Sequence, residues 1–143
     1  MTRLRFPLAA LLLALAGPAL AVGPADAPPS LDPAQAAIDR QDWSGAIALL
    51  TPVVAAEPRN ADALNLMGFA LRKAGRLGQA GFYYQAALTA DPRHLGALEY
   101  QGELFLQGGD VAAAQANLAR LRELCGGCEE ERDLAQAIGA AGS

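Results

Sequence analysis

The chain has 143 residues and a formal net charge of -4, with 18% of its residues charged and 6% aromatic. Lys73 is its only lysine and His94 its only histidine, so it offers little to a phosphate backbone or an anionic lipid surface. The sequence lacks H-E-x-x-H, G-x-S-x-G and a phosphate loop. No enzymatic activity and no cofactor are expected.

The first segment has the parts of a secretory signal peptide in order. Arg3 and Arg5 supply positive charge, Leu8 to Ala16 form a short apolar run, and Gly17 with Pro18 breaks it. Ala19, Leu20 and Ala21 then put small residues where a signal peptidase reads. The apolar run falls short of the roughly 20 residues that a membrane-spanning helix needs. Residues 1–21 are therefore expected to be removed, and the protein to be periplasmic or secreted in a bacterium. Loss of Arg3 and Arg5 makes the mature chain more acidic. Residues 22–31 contain three prolines (Pro24, Pro28 and Pro29) and little that could be buried, which predicts a flexible leader.

Beyond the leader, alanine, leucine and glutamine favour helix, and no stretch alternates as a half-buried strand does. The predicted class is all-α, over residues 32–141. Pro33 suits a first helical position and Asp32 the cap before it. The chain then repeats itself at a spacing of 34, which links Ala46, Ala80 and Ala114. The same step joins Trp43 to Leu77 and Val111, Leu50 to Tyr84 and Leu118, and Val53 to Ala87 and Leu121. Gly68 maps onto Gly102, Leu71 onto Phe105, and Glu57 with Pro58 onto Asp91 with Pro92.

Each period reads as two helices. Leu64, Met67, Gly68 and Leu71 make one apolar face, Gly75 ends it, and Leu77, Ala80, Tyr84, Ala87 and Leu88 stripe its partner. Gly68 and Ala80 leave room where the helices approach, and Tyr84 fills the gap beside them. Tyr84 and Leu118 are both expected to be core residues facing a small one. Glu129, Glu130 and Glu131 favour a helix N-terminus, and Leu134 with Ile138 give the following helix an apolar side. That helix is expected to cap an open-ended stack.

These residues resemble the tetratricopeptide repeat, whose pattern runs W-x2-L-G-x2-Y, A-x3-F, P. Leu64, Met67, Gly68, Leu71, Ala80, Tyr84 and Pro92 carry it in the second repeat, and Leu98, Gln101, Gly102, Phe105, Ala114 and Leu118 in the third. The resemblance implies a right-handed α-solenoid with repeats at about 32–60, 61–94 and 95–128, the first one short, and a capping helix at 129–141. It also implies a concave groove lined by the first helix of each repeat. Asp62, Asn65, Phe69, Arg72 and Lys73 would face outward there from the second repeat, and Gly96, Glu99, Glu103, Leu106 and Gln107 from the third. A solvated helix face would carry much the same residues. Phe69 differs: an aromatic beside Gly68, off the core stripe and among polar neighbours, has the composition of a binding hot spot. The candidate groove residues are Asn65, Phe69, Arg72, Lys73, Glu99 and Glu103. Residues 95–107 contain no lysine or arginine, so a carboxylate clamp spread over three repeats is not expected.

Cys125 and Cys128 flank Gly126 and Gly127. In an oxidising compartment they are expected to form a local disulfide that pins the last turn. Two alternatives stay open. Cys128 near a helix N-terminus could be a redox thiolate, although no βαβ unit surrounds the pair. Two thiolates with His94 could also hold a soft ion such as Cu(I). The expected function is a periplasmic scaffold or assembly factor that holds a partner protein or peptide, with self-association also open. The alternative is a thiol-redox or metal-handling protein.

Overall fold

A computed structural model describes residues 30–142; the signal-peptide and cleavage-site expectations, and the leader up to residue 29, lie outside the described residues. Seven helices fill the described chain, with no strand among those residues: α1 (Asp32–Asp39), α2 (Trp43–Ala56), α3 (Ala61–Lys73), α4 (Leu77–Ala90), α5 (Leu95–Gln107), α6 (Val111–Leu124) and α7 (Glu129–Ala141). The first helix opens one position differently from expectation. Leu31 stands at its cap, Asp32 is already helical, and Ser30 Oγ accepts the Asp32 N–H at 3.1 Å.

The period reappears in the turns. Within each pair the chain closes through one backbone bond, from Asp42 to the Ala37 carbonyl, Arg76 to Leu71, and Asp110 to Phe105, at 2.9, 2.9 and 2.8 Å. The turn residue is left-handed each time: Gln41 at φ 60°, Gly75 at 77° and Gly109 at 79°. Glycine takes that conformation without a Cβ clash, so the first repeat carries the strained version. Caps recur as well. Asp42, Asn60, His94 and Asp110 each accept a backbone N–H three residues on, which satisfies a donor that the helix leaves open.

Consecutive helices pack antiparallel, and the odd-numbered ones also touch: α1 meets α3, α3 meets α5, and α5 meets α7. The even-numbered helices make no such mutual contacts. A stack closer on one side than on the other must curve, with the odd-numbered helices on its concave side. The buried apolar side chains form three consecutive clusters along this stack.

Small residues set the closest approaches. A β-carbon on Gly68 would lie 2.7 Å from two carbons of the Tyr84 ring, and Tyr84 is itself fully buried. The third repeat departs from expectation. Leu118 is buried, yet the space over Gly102 is filled by Leu134 of α7, whose methyl carbons would lie 2.6 and 2.7 Å from a β-carbon there. Leu134 of α7 thus stands over Gly102 as Tyr84 stands over Gly68. Tyr84→Ala is expected to cost about 3–5 kcal/mol in chemical denaturation, as truncation of a buried aromatic does. The neighbouring Phe82, 68% exposed, should change stability by less than about 0.5 kcal/mol when replaced by alanine.

Candidate functional site

The concave side is built from α3, α5 and α7, and its centre is a guanidinium. Arg72 lies on the α3 face that looks across to α5. There it forms an ion pair with Glu103 and donates Nε–H to the Tyr84 hydroxyl at 3.4 Å. Its Cζ stands 5.7 Å from the centre of the Phe69 ring and 5.9 Å from that of Tyr100, close enough for cation–π attraction. The rings run on from one repeat to the next. Trp43 meets Phe69 edge-on at 6.1 Å, Phe69 meets Tyr100 at 4.8 Å, and Tyr100 meets Tyr84 at 6.4 Å. Lys73 is exposed and extends its ammonium over Phe69 at 5.4 Å.

Several of the residues expected to face outward are covered. Asn65, Arg72 and Glu99 are only 6%, 6% and 8% exposed, and Phe69 is half-buried among Trp43, Ile47 and Leu66. Lys73 and Glu103 keep accessible surface. The reason lies in the offset between repeats. Phe69 with Tyr100, and Arg72 with Glu103, are both 31 residues apart, one period less about one helical turn. A side chain on one helix therefore meets the neighbouring repeat rather than water. Tyr100 was missed by sequence reasoning; asking which residue stands 31 after Phe69 would have found it.

Burial changes the protonation chemistry of the groove. Glu99 is pushed up to about 8 from its usual 4.5, first by desolvation and then by the Glu103, Asp133 and Glu130 carboxylates; Arg72 opposes the shift. Burial likewise raises the Tyr100 phenol, with Glu99 and Glu103 adding to it. Beside this wall two adjoining clefts open between α5 and α7. One, of about 460 Å³, is lined by Arg72, Lys73, Glu103, Leu106, Gln107, Ala137 and Ala140. The other, of about 420 Å³, is lined by Glu103, Asp133, Gln136, Ala137 and Ala140. Leu106 and Gln107 thus line a cleft beside Arg72 and Glu103. Asp62 instead holds His94, Oδ1 to Nε2 at 3.0 Å, and Gly96 packs against the Asn65 amide.

The cysteines occupy a position with a clear precedent in the chain. Turns 57–60, 91–94 and 125–128 each join one repeat to the next helix. In the first, Asn60 caps α3 and donates its amide to Glu57 at 2.6 Å. In the second, His94 caps α5. In the third, Cys125 and Cys128 replace Glu57 and Asn60, and α7 has no side-chain cap. Their Cα atoms are 5.6 Å apart, a separation that a disulfide spans. His94, committed to Asp62 and to the cap of α5, does not join them. Among the described residues no three of His, Cys, Asp and Glu converge on a possible metal position. Among those residues, too, no helix is long and apolar enough to cross a membrane.

A family model described as "Tetratricopeptide repeat" matches residues 31–94 and 70–125. The chain belongs to the tetratricopeptide-repeat family. No curated protein matches it. Among solved structures it is similar to the TPR2B domain of yeast Sti1 in a pHsp70 complex, at 18% identity and TM-score 0.70, covering 77% of this chain and 90% of that one. It is also similar to the first TPR of Spaghetti (RPAP3) bound to the HSP90 peptide SRMEEVD, at 17% identity and TM-score 0.69, over 78% and 90% of the two chains. A third is the Yersinia enterocolitica chaperone SycD with a peptide of the translocator YopD, at 16% identity and TM-score 0.67, over 78% and 85%. At these identities the likeness is one of fold.

The raised Glu99 carboxyl has a consequence for stability. A carboxyl easier to protonate in the folded state stabilises the fold fully below its unfolded value, and that contribution is lost as pH rises. Stability should therefore fall between about pH 4.5 and about pH 8, and Glu99→Gln should flatten this part of the profile. Denaturant midpoints measured across that range with both proteins check it.

Proposed function

We propose that the chain is an exported bacterial scaffold or assembly factor that holds a peptide segment of a partner protein in the groove of α3, α5 and α7. The observation that carries this reading is the accessible rim around Arg72. Lys73, Glu103, Leu106 and Gln107 open onto a cleft whose floor is fixed by buried partners. A rigid base beneath adaptable surface residues lowers the ordering cost of holding a peptide. The groove supplies polar and aromatic contacts but no nucleophile–base pair, so we read its role as holding rather than turnover.

Lys73→Glu combined with Gln107→Arg changes that rim without touching a buried residue. Tagged wild-type protein should enrich a specific partner from periplasmic extract, and the double variant should lose about tenfold in affinity for it, roughly 1.4 kcal/mol. Equal binding by both proteins, with loss on Phe82→Ser, would move the site to the convex face, where Phe82 meets Tyr83 at 5.4 Å.

The same reading assigns Cys125 and Cys128 a disulfide that stands in for the absent cap of α7. The compartment inferred from residues 1–21 is oxidising, and the equivalent turn at Glu57 and Asn60 needs a link across the same two positions. Material from the periplasm should begin near Val22 and contain no titratable thiol. Reduction should speed amide exchange across α7 while α1 to α4 stay protected. Two free thiols, or uniform exchange across all helices, would favour the redox alternative.

A further inference from the structure

The two walls of the groove differ in charge, and the difference selects a ligand. On the α5 and α7 side, Glu103, Glu130 and Asp133 lie close enough to Glu99 to raise it, and Glu103 and Asp133 line one cleft. Two cations line the cleft beside Glu103: Lys73 lies over the Phe69 ring, and Arg72 is already committed, with Glu103 taking its ion pair, Tyr84 its Nε–H, and the Phe69 and Tyr100 rings its faces. Glu99 is thus left 8% exposed with no hydrogen bond or ion pair of its own. A second group in the groove is also unsatisfied. Asn65, one period before Glu99 in sequence, has a fully buried Oδ1 without a partner, and its amide packs against Gly96, one turn from Glu99 on α5. Buried acceptors are normally satisfied, and Asn65 Oδ1 lacks a donor. Ala137 and Ala140, where longer side chains could have stood, instead leave the cleft of about 420 Å³ beside Glu103 and Asp133.

We propose that this wall receives a lysine or arginine side chain of the bound segment, with Glu99 as its counter-charge, so that the groove selects basic peptides. The inference rests on the reading of the groove as a peptide-binding surface and adds the chemistry of the partner. It sets this chain apart from the Spaghetti domain, whose bound peptide SRMEEVD is predominantly acidic. A donor-rich cation can satisfy several carboxylates at once.

The test uses two acetylated, amidated peptides, one of arginines alternating with serines and one of glutamates alternating with serines. Titration calorimetry is run at about 0.15 M salt, where attraction between distant surface charges is screened. The arginine peptide should bind saturably, and Glu99→Gln should weaken it about tenfold. Glu123→Gln, an exposed acid on α6 outside the groove, should change it less than about twofold. A proton readout separates a direct role from a structural one. With Glu103 and Tyr100 on its own helix, Glu130 and Asp133 on α7 and Arg72 on α3 around it, Glu99 titrates at about 8. It is therefore mostly protonated at pH 7, and an arriving cation should expel that proton. Calorimetry at pH 7 in buffers of different ionisation enthalpy should show release by the wild type and none by Glu99→Gln. Should Glu99→Gln fail to fold, Asp133→Asn, exposed on α7, takes its place in the affinity comparison and should weaken the arginine peptide more than Glu123→Gln does.

Equal weakening by Glu99→Gln and Glu123→Gln would reduce the effect to general attraction for an acidic protein and overturn the proposal. Saturable binding of the glutamate peptide that Lys73→Glu abolishes would overturn it too, while leaving the groove itself as the binding surface. Binding of neither peptide overturns it as well, and the partner capture described above then decides separately whether the groove binds at all.

Discussion

The closeness of α3 to α4 at Gly68 is the constraint on which the stack depends. Any β-carbon there would lie 2.7 Å from the Tyr84 ring, and a ring, unlike a leucine methyl, cannot turn aside by a rotamer change. With Tyr84 wedged at this point, its hydroxyl comes within reach of Arg72. The pairing that fixes the core therefore also fixes the floor of the groove. Replacing either residue would alter both packing and binding geometry.

From that contact the charge pattern follows. Arg72 is buried because Phe69, Tyr84 and Tyr100 surround it, and a buried cation needs a close counter-charge. Glu103 supplies it from the next repeat. Once Glu103 is used, the carboxylates of α5 and α7 have no further cation among the groups that act on Glu99. The imbalance of the groove is a consequence of one guanidinium serving the core, the aromatic row and a single acid.

The period made the helix pairs legible in the sequence: alanines at 46, 80 and 114 and the acid–proline pairs needed no structure to be placed. The groove was legible only in outline. Asn65, Phe69 and Arg72 are on the concave face as the resemblance implies, but a single-helix view could not tell that they would be covered. Part of their cover comes from α5, through contacts set by the offset of 31 residues between neighbouring repeats, and part from helices before and after α3. The same limit hid Leu134, which reaches Gly102 from a helix that the repeat pattern does not describe.

The third joint of the described stack is built differently from the two before it. Turns 57–60 and 91–94 hand the chain to a following helix whose cap is a side chain, Asn60 or His94. At 125–128 the chain keeps the length of that turn but puts cysteines at both ends and glycines between them, with Gly126 and Gly127 at positive φ. Asparagine's hydrogen bond to Glu57 resists separation only weakly, because water can replace it at a cost of about 1 kcal/mol. A covalent link would hold the same two positions regardless of solvent. Beyond this joint, α7 keeps Leu134 over Gly102 and places Asp133 where its charge reaches Glu99. The joint therefore carries both a contact of the core and one wall of the groove, and the residue types that fill it are those suited to a link that does not fray.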